Sequence, residues 1–312
     1  MTHYITLDGG TTNTRLSLVS DGVIKNTKKL GVGSGKGAEG HALLKKSIAD
    51  TIKLILAEEN LAENDIAAIL CAGTITSEVG LHYVEHTYTP AGLSELKESA
   101  KKVFLSDISS IPFIFISGVK TAPTSLDNAD MLRGEEAELM GIIELTGDKG
   151  PCVYALMGSH TKIIQTDSLG RIESFSTSLT GELLQSVAEN TILKNSFDYK
   201  ACRIRADFLK KGYEYCLEKG LSEALFKSRV LKNIFGEDED NVYSFFVGAI
   251  LCGDVESVRQ KAPEKVVVGG NDFLKEAISI LLREYANTQT VVLPKDIVEN
   301  CVSTGLVKIF EQ

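Results

Sequence analysis

The chain has 312 residues, of which 43% are hydrophobic and 24% charged, and its formal net charge is −9. This length allows one large or two ordinary domains, and the composition excludes a disordered or fibrous chain. The acidic balance argues against a nucleic-acid partner, which requires a basic face. No apolar run approaches the ~20 residues of a membrane span, and the N-terminal residues lack the features of a secretion signal.

The six cysteines are scattered along the chain, and no two of them form a Cys-x-x-Cys pair. This spacing is typical of reduced thiols rather than of a disulfide framework or a zinc site. Together with the lack of a signal segment or membrane span, it predicts a cytoplasmic protein with no membrane partner.

The opening of the chain predicts a strand followed by a phosphate-binding turn. The extended apolar segment 4–7 leads into Asp-Gly-Gly-Thr-Thr-Asn-Thr-Arg at 8–15. Glycines let a backbone approach a ligand closely, amides and hydroxyls can donate to phosphate oxygens, and Asp8 is placed to hold a hydrated Mg²⁺. A second strand follows at 15–19, whereas Rossmann and P-loop designs require a helix there. The predicted ligand-binding residues are Asp8, Gly9, Gly10, Thr11, Thr12, Asn13 and Arg15.

The next segments predict helices and buried strands of a first lobe. Helical spacing of apolar residues covers 41–59, helix 93–104 is a weaker prediction, and buried strands are indicated at 66–71 and 113–116. The stretch 31–40 contains a Gly-x-Gly-x-x-Gly match at Gly35. Gly37 stands where a P-loop requires Ser or Thr, and no strand leads into the stretch. We interpret it as a mobile loop at the edge of a cleft.

A helix is predicted from about Asp130 to Leu145, after which the opening layout repeats. A strand at 152–156, a small-residue turn at 157–161 and strands at 162–165 and 171–177 follow. Such an internal duplication is expected when two similar lobes hold one nucleotide between them. The remaining predictions are a mostly helical region 181–260, strand 266–271, helix 272–285, strand 290–293, and a helix 297–310 whose Ser303-Thr304-Gly305 allows close packing.

Motifs in this order resemble those of actin-like sugar kinases. These are the two turns 8–15 and 158–162, a helix opened by Asp130, and the Gly269-Gly270 turn. More narrowly, the sequence DMLRGEE at 130–136 is similar to the signature of 2-dehydro-3-deoxygalactonate kinases, as are segments 72–80, 88–91, 158–162 and 179–183. The resemblance runs from about Tyr4 to Phe310.

The resemblance implies an α/β, two-lobed actin-like ATPase (ribonuclease H-like) fold, with mixed five-stranded sheets flanked by helices. The lobes would be 1–129 with 297–312, and 130–296. The implied activity is transfer of the γ-phosphoryl group of ATP, with Mg²⁺, to the terminal (6-) hydroxyl of a 2-keto-3-deoxy sugar acid. The implied substrate is 2-dehydro-3-deoxy-D-galactonate. A homodimer is compatible with this prediction.

The resemblance also implies residue roles. Asp130 would be the catalytic base, with Glu135 and Glu136 as rivals, and a plain helix N-cap is the alternative. Arg133 would bind the sugar carboxylate or the transferring phosphate, or else pair structurally with Glu136 or Glu138. The other implied residues are Glu136 for catalysis, Gly158, Ser159, His160, Thr161, Lys162, Gly269 and Gly270 for the nucleotide, and Gly73, Thr74, Thr180 and Glu182 for the substrate.

Structural interpretations of several of these residues stay open. His160 could be an ordinary structural histidine, Thr180 a helix N-cap and Gly269-Gly270 a plain strand-to-helix turn. The resemblance also has departures, because the family usually has Trp at positions 9 and 163, Met at 74 and Pro at 157. This chain has Gly9, Ile163, Thr74 and Met157 there, and no Trp at all.

We expect these departures to change the shape and polarity of the acceptor pocket. The alternatives are therefore a kinase of another sugar or sugar acid, a non-catalytic sugar- or nucleotide-binding regulator, and an actin- or chaperone-like ATPase. A small-molecule sugar acid is the expected partner.

Overall fold

A computed structural model describes residues 1–34, 37–198 and 201–312. These residues form two compact units. Unit 1 comprises Met1–Pro151, Thr166–Ser174 and Lys295–Gln312, and unit 2 comprises Cys152–Gln165 and Phe175–Pro294. The predicted lobes, divided at residues 130 and 297, stay a prediction. The Gly-x-Gly-x-x-Gly match begins at Gly35, outside the described residues, and the predicted loop 31–40 is wrong for residues 37–40, which form the start of a helix.

The described strands and helices follow most of the predicted ones. The strands are β1 (His3–Gly9), β2 (Thr14–Ser20), β3 (Val23–Leu30), β4 (Ile66–Gly73), β5 (Thr87–Tyr88), β6 (Lys101–Val103), β7 (Phe113–Phe115), β8 (Val119–Lys120), β9 (Met131–Leu132), β10 (Cys152–Met157), β11 (Thr161–Thr166), β12 (Ile172–Ser178), β13 (Lys265–Gly270) and β14 (Gln289–Val292). The α-helices are α1 (Gly37–Glu58), α2 (Leu93–Ser99), α3 (Glu135–Thr146), α4 (Thr180–Asn190), α5 (Ala206–Lys219), α6 (Leu221–Val230), α7 (Glu239–Lys261), α8 (Asp272–Tyr285) and α9 (Lys295–Glu311).

Two sheets share one strand order among the described residues. The first has six strands in the order β3-β2-β1-β4-β7-β6, and the second has five in the order β12-β11-β10-β13-β14. In the first, β1 pairs antiparallel with β2 and parallel with β4, and in the second β10 and β13 are parallel. The repeated order confirms the predicted duplication. The strands β5, β8 and β9 form a separate small sheet.

The sixth strand of the first sheet corrects a prediction. The helix expected over 93–104 ends at Ser99, and Lys101–Val103 pairs antiparallel with β7 instead. Ala100 takes an extended backbone conformation, and the hydroxyl of Ser99 donates to the carbonyl oxygen of Leu96, which closes the last helical turn. The predicted five-stranded sheet of this lobe therefore has six strands.

The core of unit 1 matches the predicted helical periodicity. Apolar side chains of α1 that recur at helical spacing are all buried against β1 and β2, and they are Leu44, Ile48, Ile52 and Ile55.

The prediction for helix α9 also holds, because its small residues pack tightly on α3. A Cβ atom added at Gly305 would lie 1.9 Å from the carbonyl oxygen of Ala137, and one added at Gly141 would lie 1.7 Å from that of Cys301. The two helices can approach this closely only with glycine at both positions.

Candidate active site

The first turn of unit 1 leaves backbone donors unused. Gly9 pairs with Thr14 at the end of the β1–β2 ladder, and the Gly10 N–H donates to the carbonyl oxygen of Asn13 at 2.8 Å. The N–H groups of Thr11, Thr12 and Asn13 donate to no group in the described parts of the chain, and these residues are exposed. Successive unpaired N–H groups in a turn form a concavity suited to an anion.

Asp8 lies at the end of β1, opposite Arg15 of β2. Within the described residues its carboxylate accepts no hydrogen bond. Burial raises the pKa of Asp8 above its ordinary value; Arg15 opposes this effect and Glu135 adds to it. A carboxylate without a hydrogen-bond donor among the described residues, beside donors for an anion, has the chemistry of a ligand for a hard cation. Mg²⁺ is commonly bound by one or two carboxylates together with phosphate oxygens.

Helix α3 begins at Glu135, so the prediction that Asp130 opens it is wrong. Asp130 precedes β9, and its carboxylate accepts a hydrogen bond from the Met131 N–H at 2.6 Å. The cap position belongs to Gly134, whose φ is +112°, a conformation that other residues rarely adopt. A Cβ added to Gly134 would also lie 3.1 Å from Cα of Gly73, so this turn brings α3 against the end of β4.

Acidic residues occupy the first turn of α3. Glu136 is 0% exposed, and its Oε2 accepts a hydrogen bond from the Gly134 N–H at 2.7 Å. Its Oε1 is buried and has no partner in the described parts of the chain. Burial and then the charge of Glu135 raise the pKa of Glu136 to about 8. Burial, Glu135 and Asp8 raise the pKa of Glu138 to about 8 as well. These carboxylates can therefore exchange protons near neutral pH.

Arg133 is engaged in a way that the sequence did not indicate. Its Nη1 donates to the carbonyl oxygen and the hydroxyl of Thr76, at 2.7 and 2.6 Å. Its Nη2 donates to the carbonyl oxygen of Val84 at 2.9 Å and lies 3.1 Å from Nδ1 of His86. Burial and the nearby Arg133 lower the pKa of His86 to about 4, so this histidine is a neutral acceptor. Arg133 therefore makes these hydrogen bonds rather than an ion pair with Glu136 or Glu138; Glu136 interacts with it only through its charge.

Thr74 and Gly9 show how the structure accommodates the unusual residues at these positions. The Thr74 hydroxyl donates to the carbonyl oxygen of Gly9 at 2.9 Å and thus ties β4 to the first turn. A Cβ at Gly9 would lie 2.6 Å from Cβ of Ile75, so Ile75 fills the space where a side chain at position 9 would begin. The absence of a Trp at position 9 therefore does not open a cavity at that point.

The second turn, in unit 2, also leaves backbone donors unused. The N–H groups of Gly158, Ser159 and His160 donate to no group among the described residues. Nε2 of His160 lies 3.0 Å from Oε1 of Glu182, so the predicted nucleotide and substrate residues pair with each other. Lys162 is buried in β11, and the buried hydroxyl of Thr161 has no partner in the described parts of the chain.

Helix α4 is joined directly to this second turn. The N–H groups of Gly181 and Glu182 both donate to the carbonyl oxygen of Ser159, at 3.0 and 3.1 Å. A Cβ at Gly181 would lie 2.5 Å from the carbonyl oxygen of Gly158, so only glycine fits there. The N-cap position belongs to Leu179, and the Thr180 hydroxyl donates to Asp254 instead. The interpretation of Thr180 as the cap is therefore wrong.

A cavity of about 390 Å³ adjoins the second turn. Its lining combines the turn glycine Gly158 with apolar and aromatic side chains, among them Leu184, Tyr243, Phe273 and Leu274. Such a mixture suits a flat aromatic ligand with a polar end. Gly269 and Gly270 do not line it, whereas Asn271 does. Tyr243 and Phe273 could not be recognised from the sequence as site residues, because aromatic residues within helices resemble core residues.

No three His, Cys, Asp or Glu side chains in the described parts of the chain are grouped so that they could hold a metal ion by themselves. No described helix is long and apolar enough to cross a membrane. A cation at Asp8 would therefore take ligands from a bound molecule as well.

Residues 8–309 match the family model of 2-keto-3-deoxy-galactonokinase. A protein of Rhizobium meliloti (strain 1021) named Probable 2-dehydro-3-deoxygalactonokinase DgoK1 is 27% identical over 197 residues, which cover 62% of this chain. The match spans 59% of the length of that relative.

The fold is also similar to solved structures. A Sinorhizobium meliloti protein, provisionally named a 2-dehydro-3-deoxygalactonokinase, superposes with a TM-score of 0.80 at 20% identity, covering 98% of this chain and 97% of that one. The activator of 2-hydroxyisocaproyl-CoA dehydratase from Clostridium difficile gives 0.55 at 14% identity, with 99% and 95% covered. A xylulose kinase from Lactobacillus acidophilus gives 0.52 at 11%, with 100% and 89% covered. The fold is that of actin-like ATPases and sugar kinases, as predicted.

Proposed function

The chain belongs to the 2-keto-3-deoxy-galactonokinase family, and from this premise we propose that it phosphorylates the terminal (6-) hydroxyl of a 2-keto-3-deoxy sugar acid with ATP. The first candidate substrate is 2-dehydro-3-deoxy-D-galactonate, the compound in the name of the matched relative. The proposal depends on the repeated strand–turn–strand segment, because both of its turns have unused N–H donors. In the first copy, Asp8 lies at the end of the strand that leads into the turn. We also propose a cytoplasmic location, and a homodimer stays a prediction.

Each turn is proposed as a phosphate-binding segment of its own unit. The N–H groups of 11–13 in unit 1 and those of 158–160 in unit 2 would donate to phosphate oxygens, since phosphoryl transfer depends mainly on positioning and charge neutralisation. The cavity lined by Tyr243 and Phe273 would hold the adenine ring. Gly269 and Gly270 would act by placing Asn271, whose N–H donates to the carbonyl oxygen of Met157 at 2.7 Å. The Clostridium difficile activator of similar fold was solved with bound ADPNP, which supports a nucleotide at this type of fold.

Asp8 is the proposed ligand of Mg²⁺, and its unpartnered carboxylate fits that role. Bound Mg²⁺ neutralises charge on the transferring phosphate. The pKa of Asp8, raised by burial, indicates that its negative charge is poorly compensated by the protein. A cation would supply this compensation, and the phosphate oxygens would complete its ligands.

Glu136 is the proposed general base. Its buried Oε1 has no hydrogen-bond donor among the described residues, so a proton from the attacking sugar hydroxyl would supply the hydrogen that this oxygen lacks. A base works best when its pKa is near the working pH, and the value of about 8 meets this condition. Asp130 is the second candidate; its Oδ1 accepts a hydrogen bond from the Met131 N–H. Glu135 is the third, and its carboxylate accepts from the Arg133 N–H at 3.0 Å.

The proposal for the sugar keeps Gly73 and Thr74 from the residues predicted for it. Gly73 and Thr74 lie at the end of β4 beside Gly134, within reach of the first turn of α3. Arg133 would have only its Nε–H left for the sugar carboxylate, because its other donors are engaged. Thr180 and Glu182 lie at the start of α4, which contacts the second turn, so we assign them to the nucleotide rather than to the sugar.

The test is a coupled assay of ATP consumption with a panel of 2-keto-3-deoxy sugar acids, simple sugar acids and free sugars. We expect turnover with a 2-keto-3-deoxy acid and a 6-phosphorylated product by mass spectrometry. Glu136→Gln, purified in parallel, controls for contaminating kinases. ATP hydrolysis that is independent of any sugar would instead favour an actin- or chaperone-like ATPase. Binding of sugar or ATP with no turnover on the whole panel would favour a regulator.

A further inference from the structure

Asp254 is a buried carboxylate with an unusual set of partners. It lies in α7 of unit 2 and is 3% exposed. Its Oδ1 accepts a hydrogen bond from the Ser178 hydroxyl and its Oδ2 one from the Thr180 hydroxyl, both at 2.5 Å. No cation pairs with it among the described residues. Burial raises the pKa of Asp254, and the two hydroxyls oppose this effect. Burying a carboxylate without a cation is costly, so the fold alone gives little reason for it.

The two hydroxyls that bind Asp254 flank the start of α4. Ser178 is the last residue of β12 and Thr180 the first of α4. Leu179, which stands between them at the N-cap position, supplies no side-chain cap. The carboxylate therefore fixes the position at which strand changes to helix, a task that a capping side chain usually performs.

The start of α4 in turn fixes the second turn. The N–H groups of Gly181 and Glu182 converge on the carbonyl oxygen of Ser159, at 3.0 and 3.1 Å. Gly181 packs so closely on Gly158 that an added Cβ would lie 2.5 Å from its carbonyl oxygen. A shift of Thr180 by a few tenths of an ångström would therefore move the turn that carries the unused N–H donors.

We propose that Asp254 is a positioning residue for the nucleotide, which holds the N–H groups of 158–160 in place through Ser178, Thr180 and α4. The inference rests on the proposed function, because it assumes that these donors bind the phosphates of ATP. Asp254 does not touch the nucleotide in this account. It acts through the chain of contacts from its carboxylate to Ser159.

Glu256 provides a matched control on the same helix. Its Oε1 accepts hydrogen bonds from the Tyr213 hydroxyl at 2.5 Å and from Nη1 of Arg259 at 2.8 Å. None of its hydrogen-bond partners belongs to the second turn or to α4. Changing a carboxylate to an amide at either position makes the same chemical change in the same helix. Only Asp254 is connected by hydrogen bonds to the start of α4, and through it to the second turn.

The test compares Asp254→Asn, Glu256→Gln and Ser178→Ala with the wild type. Binding of ADP is measured by calorimetry, and KM is measured separately for ATP and for the sugar acid. We expect Asp254→Asn to weaken ADP binding and raise KM for ATP about tenfold, as for loss of one hydrogen bond to a charged group. Ser178→Ala should give a smaller rise of about threefold, since Thr180 still holds the carboxylate. Glu256→Gln should change neither constant, and KM for the sugar acid should stay constant throughout.

The outcomes separate this inference from the proposed function. If the wild type binds ADP and Asp254→Asn binds it equally well, the positioning role is wrong while the proposed function stands. If Asp254→Asn loses folded protein and kcat with both KM values unchanged, Asp254 is only structural. If Asp254→Asn does not fold, Ser178→Ala tests the positioning role instead, because it keeps the carboxylate of Asp254 and removes one of its two hydrogen bonds. An unchanged KM for ATP in Ser178→Ala would then contradict that role. A wild type that binds no nucleotide would overturn both proposals.

Discussion

The turn at 8–15 and the turn at 157–161 have the same layout but different surroundings. The two sheets share an order of five strands, and each turn follows the third strand in that order. Each turn also leaves three successive N–H groups unused among the described residues. The first turn lies beside Asp8 and the acidic start of α3, where burial raises several pKa values. The second is held by a helix start and adjoins a cavity with a mixed polar and apolar lining.

This difference suggests a division of tasks between the two copies. Proton transfer and metal binding need carboxylates whose charges are only partly compensated, and unit 1 has Asp8, Glu136 and Glu138. Binding of a nucleoside needs shape and a fixed anion-binding turn, and unit 2 has both. We therefore expect changes in the first turn and α3 to act on kcat, and changes in the second turn to act on KM for ATP.

The largest expected effect is at α3. Glu136→Gln removes the proposed base but keeps the shape of the side chain, and we expect kcat to fall about a thousandfold, within the usual range for general-base catalysis. KM for ATP should change less than threefold. Asp130→Asn, measured in the same assay, should retain most of its turnover. A strong loss in Asp130→Asn with little loss in Glu136→Gln would return the role of base to Asp130.

The second effect is a dependence of activity on pH. Glu136 must lose its proton to act as a base, so kcat should rise up to about tenfold per pH unit and level off above about pH 8.

The free energy of unfolding should change with pH in the opposite direction. Because the folded-state pKa is raised, the free energy of unfolding is greatest below the ordinary pKa and falls as the pH rises through about 8. Melting curves of Glu136→Gln should therefore show a gain over wild type at pH 8.5 and little gain at pH 5.

The third effect concerns the metal. Asp8→Asn removes the proposed Mg²⁺ ligand, and we expect the Mg²⁺ concentration for half-maximal activity to rise at least about tenfold. The variant should fold at least as well as the wild type, because a buried, poorly compensated charge is lost. Titration of Mg²⁺ at saturating ATP and sugar acid measures the shift. An unchanged Mg²⁺ requirement would exclude Asp8 as the ligand.

The fourth effect is confined to unit 2. Gly181→Ala places a Cβ 2.5 Å from the carbonyl oxygen of Gly158 and must displace the second turn. We expect KM for ATP to rise about tenfold, the size of effect that loss of one well-placed hydrogen bond produces. Gly253→Ala is the matched control, since a Cβ there meets nothing within 4 Å. Helix propensity predicts that this control is stabilised by about 1 kcal/mol. Equal KM values for ATP in Gly181→Ala and Gly253→Ala would contradict the proposed role of the second turn in binding ATP.

The smallest effect on activity is expected at Arg133. Arg133→Lys breaks the paired donation to Thr76 and Val84, which should lower the free energy of unfolding by about 2 kcal/mol. KM for the sugar acid should stay within about twofold of the wild type. On the same preparation, denaturant unfolding measures the free energy of unfolding, and steady-state kinetics measure KM for the sugar acid. A large rise in this KM with unchanged stability would restore Arg133 as the residue that binds the sugar carboxylate.

Local patterns allowed most of the fold to be predicted. The strands at the two turns are short apolar runs that end in glycine, and α1 has a clear helical period, so each element is determined by its own residues. The start of α3 was mispredicted because the segment 130–136 has a helical composition. Its true conformation depends on the pairing of β9 with β8 and on the positive φ of Gly134. Such tertiary constraints are not visible in a local pattern.

The candidate site was predicted less completely than the fold. The turn residues were identified because glycine-rich turns after strands are local signals. Asp254 was missed because it lies 74 residues from Thr180 and inside a helix that contains no motif. The acidic residues of α3 were named, yet their burial could not be deduced from the sequence. Burial raises the pKa of Glu136 to about 8, and it follows only from packing.

The close packing of α9 on α3 has a consequence for how the protein is made. Lys295–Glu311 follows the whole of unit 2 along the chain, but it fills a place in unit 1 against Gly141. A ribosome adding about 5–20 residues per second would need roughly 7–30 s to synthesise the intervening segment. During that time the α9-binding surface on α3 is uncovered, and unit 2 has its full sequence before α9 is made. We therefore expect the part of the molecule that is translated first to be the last to reach its native structure.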